Sequence, residues 1–206
     1  QIDMALATSL ASKKNLTDTD KSTVTQLVQQ AINEGKANIA LNPQRSGNWE
    51  LLAQIYKTIM PFAQGADQFA IQTYTQAIAL DPINPNLRIS LGGVYFALGR
   101  FDEAIEMFKT AVLAKPELAN AHYNLALAYK EKKQNEAAIA SLEKTLTLLE
   151  KSSEDYAKAT KELDELKALV TPKEEVKKEE VLEDNSPMNL LFSKGNFRFP
   201  AVGDTI

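Results

Sequence analysis

The chain has 206 residues, 44% of them hydrophobic and 24% charged, which is enough for one globular domain or a short repeat array and too apolar for wholesale disorder. Its net charge is −4 and its pI about 5.2, and no Lys/Arg cluster forms the basic patch that a sequence-independent nucleic-acid binder needs. With no cysteine and one histidine, His122, it excludes disulfides, zinc–thiolate and iron–sulfur sites, cysteine nucleophiles and imidazole-rich metal or catalytic centres.

The first predicted helix includes Ile2, Met4, Ala5, Leu6 and Leu10, and Thr17-Asp18 read as caps for a longer helix after it. That second helix carries Ala31 and Asn38 and closes at Pro43. Trp49, Leu52-Ala53 and Tyr56 mark a third helix, and Ala70, Tyr74, Ala77 and Pro82 a fourth. The spacing from Tyr56 to Ala70 is 14 residues where the two later counterparts have nine. The extra residues fall in Met60-Pro61-Phe62-Ala63-Gln64-Gly65, so a longer or bent turn is expected there. Leu91, Tyr95 and Leu98 follow one helical stripe, and Ala104, Ile105, Phe108, Ala111 and Val112 another. Gly99 is expected to end the first of these in a left-handed conformation. Small residues at Gly92, Ala104 and Ala111 let the pair approach closely. Pro85 and Pro116 mark boundaries, and Asp102-Glu103 a helix start.

The next segment repeats this one. Leu91-Gly92, Tyr95, Gly99, Ala104, Phe108, Ala111 and Pro116 return 34 positions later as Leu125-Ala126, Tyr129, Lys133, Ala138, Leu142, Thr145 and Glu150. A further helix starts at Ser152-Ser153-Glu154-Asp155, with capping-box spacing from Ser152 to Asp155. Its apolar stripe is Tyr156, Ala159, Leu163, Leu166 and Leu169-Val170, and its other face holds Glu154-Lys158 and Lys158-Glu162 pairs. Thr171-Pro172 breaks it.

These residues resemble the tetratricopeptide-repeat (TPR) consensus, most specifically over 85–145. Thr145 and Glu150 depart from it, the latter where a closing proline is expected. The resemblance implies an all-α fold: a right-handed α-solenoid of antiparallel helix pairs, with a C-terminal capping helix and an extended or hairpin-like tail. The expected organisation is a degenerate N-terminal repeat at 1–45, a repeat with an inter-helix insertion at 46–84, and repeats at 85–118 and 119–152. A capping helix at 153–170, a charged linker at 171–186 and an apolar docking tail at 187–206 complete it. The chain starts at Gln1, inside a repeat pattern. We expect a processed product or a piece of a longer protein, with an open solenoid edge covered by upstream sequence or by another subunit.

TPR arrays bind ligands on the concave face of their first helices. In this frame the groove is expected at Asn86, Ile89, Ser90, Gly93, Phe96 and Ala97, then at Asn120, Tyr123, Asn124, Leu127 and Lys130. Chaperone-binding TPR domains hold a C-terminal carboxylate with a Lys/Asn/Arg clamp. Here Glu50 stands at the first clamp lysine, Ser90 at the middle asparagine, and Asn120 and Asn124 at the last Lys and Arg, so that specificity is not expected. His122 lies within a helical pattern and reads as structural. No catalytic constellation, phosphate loop or zincin motif is present, and neither a metal nor another cofactor is expected. No apolar run is long enough to span a bilayer, and no signal peptide is recognisable.

After the Lys/Glu/Val-rich stretch 173–184, Met188, Leu190, Leu191, Phe192, Phe197, Phe199 and Val202 fall within 15 residues, with a Lys194-Gly195-Asn196 turn signal between them. This segment is expected to dock on a neighbouring subunit, with docking in cis or on a foreign partner as the alternatives. The stretches at 10–18, 48–56 and 64–71 resemble the extracytoplasmic TPR region of bacterial O-antigen ligase- or polymerase-like membrane proteins. That resemblance implies an extracellular or cell-surface location and brings no catalytic residue into this segment. The expected function is a non-catalytic module that binds other copies of itself as a filament or surface-structure subunit. A peptide-binding adaptor and a docking domain of a membrane glycan enzyme are the alternatives.

Overall fold

A computed structural model of the chain describes residues 2–11, 15 and 17–170. Among these residues there are nine helices and no strand: α1 (Ile2–Ala11), α2 (Asp18–Leu41), α3 (Ser46–Ile59), α4 (Ala66–Leu80), α5 (Pro85–Ala97), α6 (Phe101–Ala114), α7 (Ala119–Glu131), α8 (Asn135–Leu148) and α9 (Glu154–Val170). The linker 171–186 and the tail residues Met188, Leu190, Leu191, Phe192, Phe197, Phe199 and Val202 lie outside the described residues. Each helix packs chiefly on the next, as α1·α2, α3·α4, α5·α6 and α7·α8 pairs joined by α2·α3, α4·α5, α6·α7 and α8·α9 contacts. This is the nearest-neighbour architecture of an α-solenoid.

Local chemistry sets the helix starts. Thr17 caps α2 in a reciprocal box: Asp20 N donates to Thr17 Oγ1 at 3.1 Å, and Thr17 N donates to Asp20 Oδ2 at 3.1 Å. Asn84 caps α5 through Asn86 N at 3.0 Å, and Pro85 occupies the first helical position. At α9 the cap is Ser153, one residue beyond the Ser152 that the sequence pattern suggests. Its hydroxyl donates to Glu150 O at 2.7 Å and accepts from Tyr156 N at 3.1 Å. Bridging turn and helix at once, it displaces the Ser152–Asp155 box.

One repeat position closes the turns between pairs. Trp49 Nε1 donates to Pro43 O, and His122 Nε2 to Pro116 O, both at 2.8 Å. Each ring reaches back six residues, and Arg88 in the intervening pair reaches Asn84 O at 3.4 Å. The only tryptophan and the only histidine thus hold loops.

The α5–α6 and α7–α8 turns end on left-handed residues. Gly99 has φ +71, with Arg100 N bonded to Tyr95 O at 2.9 Å and Gly99 N to Phe96 O at 3.0 Å. Lys133 repeats the geometry at φ +58, with Gln134 N bonded to Tyr129 O and Lys133 N to Lys130 O, both at 2.9 Å. A lysine at a glycine position carries backbone strain. Lys133→Gly is therefore expected to raise stability by about 0.5–1 kcal/mol, moderated by the larger entropy of glycine in the unfolded chain. A denaturant midpoint that stays put or falls would remove this reading of the turn.

The core runs unbroken from pair to pair. Leu91 and Val94 of α5 join Leu52, Tyr56, Ala70 and Tyr74 of α3 and α4. Leu125 and Ala128 of α7 join Ala104 and Phe108 of α6. Ala159, Leu163 and Leu166 of α9 join Ala126, Ala138 and Leu142. Gly92 permits the closest approach: a Cβ there would meet the Phe108 ring at 2.5 Å. A second close approach falls where the sequence pattern does not put it. Asn38, aligned with Ala77 and Ala111, is exposed, while Gly35 is buried, with a Cβ position 2.9 Å from Leu52 Cδ1.

Two features of α9 correct the sequence pattern. Its buried stripe stops at Leu166, because Leu169 is 73% exposed and Val170 39%. At about 1.5 Å per residue, the 17 residues of α9 overrun the 14 of α8 by most of a turn. The Glu154–Lys158 and Lys158–Glu162 pairs also give way to contacts between helices. Lys158 lies over the Tyr123 ring at 5.3 Å, Glu162 accepts from Lys130, and Lys167 bridges to Glu143 at 2.8 Å.

Candidate partner-binding surface

The first helices α3, α5 and α7 line one face of the array, and α9 continues it. Near α3, Glu50 Oε1 accepts from Gln54 Nε2 at 3.4 Å. Lys57 extends toward α5, where its Nζ lies 3.5 Å from the position a Cβ on Gly93 would take. The packing around Lys57 lowers its pKa by desolvation. It has the same repeat position as Phe96 and Lys130, yet the sequence reading passes over it.

On α5, Asn86 is exposed and Ile89, Ser90 and Phe96 are half-buried. Ile89 and Phe96 pack against the α6–α7 core, and Phe96 meets Phe101 edge-on at 5.3 Å, so both are as much packing as groove. Ser90 is hydrogen-bonded to the phenol of Tyr74, a fully buried residue.

Burial pushes the Tyr74 pKa up to about 12, with the Glu50 charge acting in the same direction and the Ser90 hydrogen bond against it. The linkage has a definite sign. Below pH 10 both folded and unfolded phenols are protonated, and stability does not depend on Tyr74. Between pH 10 and about 12 the unfolded phenol ionises and the folded one does not. Stability is therefore expected to fall with rising pH in that window, by an amount on the order of 2 kcal/mol. Chemical denaturation at pH 9, 10 and 11 should show a shallower fall for Tyr74→Phe than for the parent, and equal slopes would dismiss Tyr74 as the source.

The α7 residues converge with α8 and α9. A pocket of about 440 Å³ is lined by Leu118, Ala119, Asn120, Tyr123, Asn124, Thr145, Leu149, Asp155 and Lys158. The structure thus brings Asn120, Tyr123 and Asn124 together in one cavity, while Asn86, Ile89, Ser90, Phe96, Leu127 and Lys130 lie outside its lining. Asn124 Nδ2 donates to Asn120 Oδ1 at 2.8 Å. Thr145 is buried, its hydroxyl bonded to Ser141 O at 2.9 Å. Lys130 is held by Glu162, whose hydrogen bond raises the lysine pKa.

Asp155 and Lys158 are the charged pocket residues that the sequence reading misses, having treated α9 only as a cap; Leu118, Ala119, Thr145 and Leu149 also lie outside the expected groove. The signal was present: Lys158 stands 34 residues after Asn124, where a further first helix would place a groove residue. The clamp positions hold Glu50, Ser90 on Tyr74, and Asn120 bonded to Asn124. They therefore offer no cationic cradle for a terminal carboxylate. Among the described residues no cluster of His, Asp or Glu could hold a metal ion, and no helix is long and apolar enough to cross a membrane.

A family profile described as "TPR repeat" matches residues 61–99 and 92–133, and one described as "Tetratricopeptide repeat" matches 119–148. The chain carries TPR repeats. Solved TPR structures share the fold. A thermophilic TPR protein of Thermus thermophilus, TTC0263, is 22% identical with a TM-score of 0.58, covering 78% of this chain and 87% of that one. MamA is 23% identical with a TM-score of 0.56, covering 75% of this chain and 85% of its own. The first TPR of Spaghetti (RPAP3), solved bound to an HSP90 peptide, is 26% identical with a TM-score of 0.52, covering 61% and 97%. No curated protein matches the chain. The TPR fold indicates a protein–protein interaction module, and the matches point to no catalytic family.

Proposed function

We propose that this TPR module binds other copies of itself, as the subunit of an extracellular filament or surface structure. The observation that carries the reading is the segment 187–202. It concentrates Met188, Leu190, Leu191, Phe192, Phe197, Phe199 and Val202 behind a charged linker, on a chain with a net charge of −4. Aromatic anchors of this kind contribute roughly 2 kcal/mol each when buried in an interface. A contact between unlike surfaces that repeats without closing produces a helical polymer. The stretches at 10–18, 48–56 and 64–71, which resemble O-antigen ligase-like membrane proteins, support an extracytoplasmic home.

Light scattering after size exclusion tests this directly. The full chain is expected to form large assemblies and a version ending at Asp184 to be monomeric. Two monomers would end the self-association reading.

The α7–α9 pocket favours a second reading, a peptide-binding adaptor. An RPAP3 TPR domain of this fold is solved with an HSP90 peptide, but clamp positions without a cation here argue for a different peptide class. Tyr123→Ala separates the readings: an adaptor loses its client in a pull-down, whereas tail-driven assembly is unchanged.

A further inference from the structure

The turn between α3 and α4 stands apart from the α5–α6 and α7–α8 turns. Leu98–Arg100 and Lys132–Gln134 are three-residue connections, while Met60–Gly65 has six. The longer turn is well built: Phe62 N and Ala63 N donate to Ile59 O at 3.1 and 2.9 Å, Ala66 N donates to Ala63 O at 3.2 Å, and Gly65 closes it at φ +78. Met60 and Ala63 pack on the core beneath. The outer side chains do not. Phe62 is 47% exposed, and Phe69, stacked on Tyr56 at 5.2 Å, is 54% exposed. A depression of about 380 Å³ lies between the turn and α5, lined by Met60, Pro61, Phe62, Asp67 and Leu98 among others. Asp67 pairs with no cation among the described residues. A rigid turn that holds aromatic rings half in water beside a lone carboxylate has the character of an interaction site.

We propose that this turn receives the segment 187–202 of a second copy of the chain. The inference rests on the self-association reading and names the surface that accepts the segment. Two features match. While the depression itself is of mixed polarity, the segment carries apolar side chains that suit the exposed rings of Phe62 and Phe69. Its only charged residues are Lys194 and Arg198, giving it +2 within a chain of −4, opposite in sign to Asp67. Attraction between opposite charges fits the Asp67 carboxylate and a basic apolar segment. Reach is sufficient. The 16 residues from Thr171 to Ser186 span at most about 55 Å when fully extended, several times the roughly 10 Å between packed helices.

Complementation in solution tests the pairing with the full-length chain. Phe62→Glu removes the acceptor, and Phe192→Ala/Phe197→Ala/Phe199→Ala removes the donor. Each variant alone is expected to associate at least tenfold more weakly than the parent, and a 1:1 mixture of the two to form a heterodimer. Phe62→Glu should melt with the parent, because Phe62 is only half-covered. If it does not, Asp67→Lys replaces it as the acceptor variant. A monomeric parent overturns the self-association reading and this inference with it. Assembly lost in the donor variant but retained in the acceptor variant leaves self-association standing and refutes this surface. A mixture with no heterodimer refutes the pairing in trans.

Discussion

Replacing Gly92 with alanine is expected to destabilise the protein by about 2 kcal/mol, even though alanine is the better helix former by close to 1 kcal/mol. The new Cβ would stand 2.5 Å from Cε1 and 2.8 Å from Cδ1 of Phe108. That ring cannot easily move aside, being 2% exposed and packed with Ala104, Leu125 and Ala128. The penalty therefore belongs to the pair. Phe108→Leu alone should lower stability through the cavity it leaves, while in that background Gly92→Ala should become neutral or favourable. The measurement is a double-mutant cycle by chemical denaturation, with an expected coupling of about 2–3 kcal/mol. Additive effects would mean that the ring does not set the cost at position 92.

Leu166→Ala is expected to cost about 2–4 kcal/mol, with the damage confined to one end. Leu166 is 1% exposed and packs with Leu163 and Ala159 against Ala126, Ala138 and Leu142. In a solenoid each layer is stabilised by its neighbours, so loosening α9 uncovers α7 and α8 and leaves α3 and α4 unaffected. Hydrogen exchange should show faster exchange through 119–170, with protection over 46–80 unchanged. Uniform loss across the chain would show a single cooperative block in place of coupled layers.

Both results bear on the functional surface. Tyr123 and Asn124 sit in the layer that α9 covers, and their pocket is shared with Asp155 and Lys158. A loosened α9 would open that pocket and release Lys130 from Glu162. The Met60–Gly65 turn lies in the α3–α4 layer and should keep its shape. The Leu166→Ala variant thus separates a groove-dependent activity from one that depends on the turn.

The residue pattern by itself determined the helix-pair repeat, because the TPR pairing is a local, short-range code. Leu91, Tyr95 and Phe108 recur as Leu125, Tyr129 and Leu142 at a 34-residue interval, and each pair buries its stripe against the next in sequence. Gly99 and the Thr17 cap were legible for the same reason, since their hydrogen bonds close within five residues. The longer connection at Met60–Gly65 was legible as a spacing. Only the tertiary structure decided what crosses between helices. It gave the close α2–α3 approach to Gly35 in place of Asn38, and turned Lys158 and Glu162 away from their own helix toward Tyr123 and Lys130. It tied Ser90 to Tyr74 and left Phe62 and Phe69 facing solvent. These outcomes depend on the axial offset and rotation of neighbouring helices. Those are set by the summed packing of many side chains, and no single spacing along the chain encodes them.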